Sequence, residues 1–368
     1  VWLPKETLMT THLFSPALLG RLTLKNRIVM APLTRSRAIG NQPNDLMRDY
    51  YSQRAGAGLV ITEGTATAPE GLGYARIPGA FSAAQAQGWG DIARAVQARG
   101  SRLFVQLMHT GRVGHAANLP AGAQMLAPSA TAAAGEIWTD SAGMQPHGTP
   151  KAADADDLVA LRESHVSAAR ALIDNGVDGV ELHGANGYLL GQFLNPRSNQ
   201  RTDAYGGSAG NRNRFVLEVV DATVAAIGAD RVGIRLSPFN PFNDLASQFE
   251  GEAEQFLALV AALAQRGIAY LHLAGGTVSG DLLTQVRAAF PGTLILNGGY
   301  DAARAEADLA AGRADLVSFG RPFIANPDFP ERIVRGAALA ELDPGTLYTP
   351  GAAGYSDYPA LAPEAASR

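Results

Sequence analysis

DDLVALRESHVSAARALIDNGVDGVEL, Asp156–Leu182, is one complete helix-then-strand unit. Leu158, Leu161, Val166 and Ala169 recur near helical spacing over Asp156–Asn175, and Gly176 stops the pattern. The run that follows, Asp178–Leu182, is short and apolar, as expected of a parallel strand covered on both faces. The same alternation extends in both directions. Upstream lie the strand-like runs Arg27–Leu33, Gly58–Thr62 and Arg102–Leu107; downstream lie Arg231–Leu236, Ile268–Leu273, Thr293–Leu296 and Asp315–Phe319. Helix-like segments separate them at Asn44–Arg54, Ala84–Arg99, Arg212–Ile227, Glu254–Gln265, Asp281–Ala289 and Ala302–Ala311. Such alternation, eight strands long, predicts a closed (β/α)8 TIM barrel of the α/β class; an open doubly wound sheet is the alternative, and the count favours closure.

Two segments depart from the repeat. Ser15–Lys25, turning at Gly20, is expected to be an N-terminal hairpin covering the barrel floor. Residues 108–153, after the third strand, are rich in Ala, Gly and Pro and lack a helical period; a loop of this length at a strand's C-terminal end is expected to be a functional cap. Residues 9–368 are read as a single domain, and Val1–Leu8, ahead of Met9, as an expression remnant or disordered start.

Composition narrows the function. The 368 residues carry 30 Lys and Arg against 34 Asp and Glu, without basic runs, so neither nucleic acid nor an anionic membrane is an expected partner. There is no Cys, which excludes disulfides, thiolate zinc sites, iron–sulfur clusters and cysteine nucleophiles in this chain. No apolar stretch is long enough to span a bilayer and no signal peptide is read, so a soluble cytoplasmic protein is expected. His109 and His115 share a loop but lack a metal-binding spacing, so no metal is expected, and no GxGxxG follows the first strand.

Barrel active sites lie at the C-terminal ends of the strands. Here those ends carry Pro32-Leu33-Thr34, Glu63-Gly64-Thr65, Gln106, His183, Arg235, His272, Gly298-Gly299 and Gly320-Arg321. Gly298-Gly299 after strand seven and Gly320-Arg321 after strand eight suit a phosphate, although glycines there also serve as plain turns. Arg235 reads either as a partner of Glu63 or Glu181 in a structural ion pair, or as a cation beside a cofactor that becomes anionic. His183 and Asn186, expected on one face of a helical turn, could both donate to one substrate oxygen and stabilise an enolate, with Tyr188 placed to deliver a proton. A flavin-free lyase or isomerase acting on a sugar phosphate would share the phosphate site, but no Lys stands at a strand end to form a Schiff base.

RIVMAPLTRSRA (Arg27–Ala38), VQLMHTGRVGH (Val105–His115), GVELHGANGYLLGQFLNPRSNQRTDAYGGS (Gly179–Ser208) and GYSDYP (Gly354–Pro359), in this order, resemble the old yellow enzyme family of flavin-dependent ene-reductases. The resemblance implies a barrel holding FMN noncovalently, reduced by NADPH or NADH and reoxidised by an electron-poor alkene; the sequence leaves monomer or homodimer open. It implies that Pro32, Leu33, Thr34, Gly64, Gln106 and Arg235 surround the isoalloxazine and that Gly298, Gly299, Gly320 and Arg321 hold its phosphate. His183 and Asn186 would bind the substrate's carbonyl or nitro oxygen and Tyr188 would protonate the α-carbon, with Tyr74, Met108 and Tyr355 closing the substrate pocket. Met108 stands where many relatives of this subset carry Trp, which implies a differently shaped pocket.

Overall fold

The computed structural model describes residues 11–362, so the reading of residues 1–8 falls outside it. Eight parallel strands close on themselves: Ile28–Met30, Leu59–Ile61, Arg102–Met108, Gly179–Gly184, Val232–Leu236, Tyr270–Leu273, Thr293–Asn297 and Leu316–Phe319. Each pairs with its successor, the eighth returns to the first through Ser318 opposite Val29, and the third meets the fourth through Gln106 opposite Glu181. Closure therefore holds, and the open-sheet alternative does not.

Side-chain alternation explains why the strands read as nearly continuous apolar runs yet build a polar mouth. Outward positions such as Val105, Leu107, Val180, Leu182, Leu271, Leu273 and Val317 pack with the surrounding helices; Leu158, Leu161, Ala169 and Leu172 of Ala155–Asp174 belong to that layer. Inward positions near the floor are also apolar: Val29, Leu59, Ile61, Phe104, Tyr270, Ile295 and Leu316 form one cluster. The hairpin of Ala17–Leu19 and Leu22–Leu24 seals that floor, with Ala17, Leu19 and Leu24 in the same cluster. Inward positions nearer the C-terminal ends turn polar, at Gln106, Glu181, His183, Arg235, His272 and Ser318, all buried.

The long segment after the third strand has structure of its own. Leu126–Ala127 pairs with Lys151–Ala152, and Glu136–Thr139 forms an antiparallel hairpin with Gly143–Pro146. Among the described residues no helix is long and apolar enough to cross a membrane.

Candidate active site

A cavity of about 500 Å³ opens at the C-terminal end of the barrel. Pro32, Leu33, Thr34, Gly64, Tyr74, Gln106, Met108, His183, Asn186, Tyr188, Arg235 and Arg321 all line it. Sequence-distant positions meet here because every strand delivers its last inward residue to the same mouth. Register makes this explicit: His183 lies opposite Arg235, and Arg235 opposite His272.

His183 is buried, and its Nδ1 accepts the backbone N–H of Ala185 at 3.3 Å. That bond assigns the ring proton to Nε2, so the imidazole is a neutral donor. Burial, reinforced by the positive Arg235 and by His272, holds its pKa well below the usual histidine range. Asn186 does not sit on a helix. It follows the strand end with φ of +57°, and the helix Leu189–Leu194 begins only afterwards. Its positive-φ turn is held by Asn186 N–H donating to Ser237 Oγ at 2.8 Å and by Asn243 Nδ2 donating to the Asn186 carbonyl at 2.8 Å. Asn240 Nδ2 donates to Asn186 Oδ1 at 3.2 Å, which leaves the Asn186 amide nitrogen as the group available to donate. The two donors thus reach one cavity by a strand end and a left-handed turn rather than by helical spacing.

Tyr188 meets the His183 ring edge-on, with centroids 4.7 Å apart at 71°, and its hydroxyl lies 3.1 Å from that of Tyr74. Burial first, then the neighbouring Tyr74, pushes the Tyr188 phenol well above its ordinary pKa, so it carries its proton throughout the neutral range. Met108 is buried against Gly64: a Cβ added at Gly64 would fall 2.5 Å from the Met108 sulfur.

Arg235 makes no ion pair with either carboxylate considered from the sequence. Glu63 accepts the Arg35 backbone N–H at 3.2 Å and the Tyr51 hydroxyl at 3.2 Å, while Glu181 accepts from Gln106 and faces His272. The Arg235 guanidinium donates to Asn297 Oδ1 at 3.2 Å, and its buried Nε has no partner. Burial lowers its pKa from the usual value, yet an arginine stays charged. A buried cation with an idle donor is a built receptor for an anionic or electron-rich edge. Burial also raises the Glu63 carboxyl to about 7, against the lowering effect of its bonds from Arg35 and Tyr51.

Gly298, Gly299 and Gly320 are not among the residues that line this cavity, but Gly298 follows Asn297, the partner of Arg235, and Gly320 precedes Arg321 of the cavity wall. Gly298 has φ of +143°, and a Cβ there would meet the Gly276 backbone nitrogen at 2.5 Å. Only glycine allows the two loops to approach this closely. Gly299 is at φ +64°, and Gly320 precedes the short helix Arg321–Ala325 next to Leu33. Such a cradle, with Arg321 on the cavity wall, fits a phosphate group.

One expected lining residue is elsewhere. Tyr355 does not line the cavity: it is fully buried and stacked on Tyr50, with centroids 3.9 Å apart and planes 6° apart. Tyr348 lines the cavity instead. The cause is the grip of the loops after the first and second strands on the C-terminal segment. Arg37 donates to the carbonyls of Thr346, Leu347, Gly351 and Ala353, Arg35 donates to those of Leu347 and Gly354, and Arg76 donates to that of Tyr348. This clamp holds Tyr348 at the mouth and carries Tyr355 down onto Tyr50. Trp138 and Met144 from the capping hairpin, with Phe242, complete an exposed apolar rim with no strand-end signature in the sequence. The nearest sequence signal is Tyr348-Thr349-Pro350, just ahead of the segment that carries Tyr355.

The sequence matches the NADH:flavin oxidoreductase / NADH oxidase family over residues 12–340. A probable flavin mononucleotide-dependent alkene reductase of Leishmania infantum is 39% identical, with 94% of this chain and 97% of that protein covered. The 12-oxophytodienoate reductase 1 of Oryza sativa subsp. japonica is 41% identical, with 95% and 93% covered. Morphinone reductase in complex with tetrahydroNAD superimposes with a TM-score of 0.91 at 46% identity, covering 95% of this chain and 98% of that one. The chain belongs to the NADH:flavin oxidoreductase / NADH oxidase family, the old yellow enzymes. It is an NAD(P)H-dependent flavin oxidoreductase of the ene-reductase class, with FMN as its cofactor.

Proposed function

We propose that this enzyme reduces the activated C=C bond of enones, maleimides or nitroalkenes. The observation that carries the reading is the convergence of two neutral donors, His183 Nε2–H and the Asn186 amide, on one cavity beside the Tyr188 phenol. FMN, when bound, would supply the hydride chemistry that links the nicotinamide to the alkene's β-carbon. Pro32, Leu33, Thr34, Gly64 and Gln106 would line its ring, Arg235 would face the edge that gains charge on reduction, and Gly298, Gly299, Gly320 and Arg321 would seat its phosphate.

His183 and Asn186 hold the carbonyl or nitro oxygen. Their hydrogen bonds strengthen as negative charge develops there, so they stabilise the enolate more than the substrate. A neutral imidazole suffices, and the low pKa of His183 means that its donation does not switch off near neutral pH. Tyr188 gives its proton to the α-carbon, and the Tyr74 hydroxyl beside it can replace that proton. Met108, Tyr74, Tyr348 and the apolar rim enclose the rest of the substrate.

A visible spectrum of the purified protein, an anaerobic titration with NADPH or NADH, and then addition of a cyclic enone test this reading. Bleaching of the flavin bands by the nicotinamide and their return with the enone are expected. Reduced flavin that no enone, maleimide or nitroalkene reoxidises would overturn the substrate assignment.

A further inference from the structure

Beneath the cavity lies a polar chain of which the proposed reaction uses only the two ends, Gln106 and Arg235. Glu181 is fully buried, one inward position below His183 on the same strand. Gln106 Nε2 donates to its Oε1 at 2.7 Å, and His272 Nδ1 lies 2.8 Å from its Oε2. His272 Nε2 lies 2.8 Å from Ser318 Oγ, Asn297 Nδ2 donates to the Ser318 carbonyl at 3.0 Å, and Arg235 donates to Asn297 Oδ1. The chain therefore runs from strand three through strands four, six, eight and seven to strand five.

A carboxylate only accepts. His272 must then donate through Nδ1–H and, as a neutral ring, accept from Ser318 Oγ–H. Burial lowers the His272 pKa, in keeping with that neutral form. By the same rule the Gln106 amide must turn its NH2 to Glu181, so its carbonyl is the group left to face the cavity. Buried carboxylates are costly, and an apolar side chain would fill this layer at less cost. Among the described residues Glu181 has no lysine or arginine within ion-pair distance; its charge instead lies in the field of Arg235.

We propose that Glu181 is a positioning residue for the pyrimidine edge of the flavin: it holds the Gln106 carbonyl outward to accept the ring N3–H, and its negative charge offsets Arg235 so that the bound flavin is held at a lower reduction potential. This rests on the reading that Gln106 and Arg235 face that edge. Arg235 offers donors and Gln106 an acceptor, which matches the acceptor–donor order of N1/O2 and N3–H. Reduction adds negative charge above Arg235, and a second negative charge below opposes it.

The test is the midpoint potential of the FMN-loaded enzyme, measured by dye equilibration, for the unaltered protein, Glu181→Gln and Glu181→Asp. A positive shift in Glu181→Gln, with Glu181→Asp close to the unaltered protein, is the expected result. An unmoved potential in Glu181→Gln with flavin bound overturns the proposal, and so does an equal shift in both variants, since general loosening of the mouth would produce it. Protein that takes up no FMN would instead overturn the underlying reading, and the proposal with it. If Glu181→Gln does not fold, a neutron structure of the unaltered deuterated holoenzyme decides. Deuterons on Gln106 Nε2 toward Glu181 and on His272 Nδ1 are expected; a deuteron on Glu181, or the Gln106 amide deuterons facing the flavin, refutes it.

Discussion

Replacing Gly298 by Ala separates the phosphate cradle from a simple turn. At φ +143° an L side chain meets backbone strain of about 1–3 kcal/mol. The added Cβ also falls 2.5 Å from the Gly276 nitrogen and 2.6 Å from its Cα, backbone atoms that cannot rotate away. Overpacking of this kind costs about 1–3 kcal/mol, so the combined penalty is at least about 2 kcal/mol. It can be relieved by moving the loop, which spreads the N–H groups from the phosphate and weakens FMN at least about 30-fold. Gly299→Ala is the control: at φ +64° with nothing within 4 Å of the added carbon, only conformational strain of about 1 kcal/mol remains, or about fivefold. The assay is flavin fluorescence quenching on apoprotein, with FMN and riboflavin titrated in parallel and apoprotein melting recorded. FMN should lose affinity far more than riboflavin in Gly298→Ala. Equal losses for both ligands would place the phosphate elsewhere, and unchanged affinity with unchanged melting would refute the strain argument itself.

His183→Ala removes one of the two donors to the substrate oxygen and should slow the alkene half-reaction about a hundredfold; stopped-flow kinetics should show a much smaller effect on flavin reduction, and equal slowing would reassign the residue. Tyr355→Ala should cost about 3–5 kcal/mol of stability in urea unfolding, because the ring is buried against Tyr50. Tyr348→Ala should instead raise KM for bulky enones with little change in stability, and the opposite pattern would return Tyr355 to the pocket. Met108→Trp fills space beside Gly64 with a rigid ring and should change the product enantiomer ratio of substituted enones; an unchanged ratio across several enones would remove Met108 from the specificity argument. Because the folded Glu63 carboxyl titrates at about 7, above its unfolded value of 4.5, its stabilising protonation is complete below about pH 4.5 and lost as pH rises through 7. Melting temperatures across pH 4.5–8 should therefore fall more steeply for the unaltered enzyme than for Glu63→Gln, and parallel curves would contradict the assigned shift.

Much of this molecule is written locally. The eight apolar runs and the helices between them could be read directly because burial on both faces leaves a strand little choice of composition. Strand-end residues such as Thr34, Gln106, His183 and Arg235 followed at once, since a closed barrel sends every strand's last inward residue to one mouth. What sequence spacing missed were the places where one segment sets another's orientation across space. His183 and Asn186 looked like neighbours on a helix, yet the turn between them is held by Ser237, Asn240 and Asn243 from the loop after strand five. Tyr355 and Tyr348 share a segment, and only the clamp of Arg35, Arg37 and Arg76 on its carbonyls decides which ring reaches the cavity. Glu181 read as a candidate ion-pair partner; its bonds to Gln106 and His272 exist only once strands three, four and six stand side by side. By itself, then, the sequence determined the barrel, its floor hairpin and the chemical inventory of the mouth, because these depend on burial patterns within a few residues. The tertiary structure decided which way each donor and acceptor points, because that depends on partners far apart along the chain.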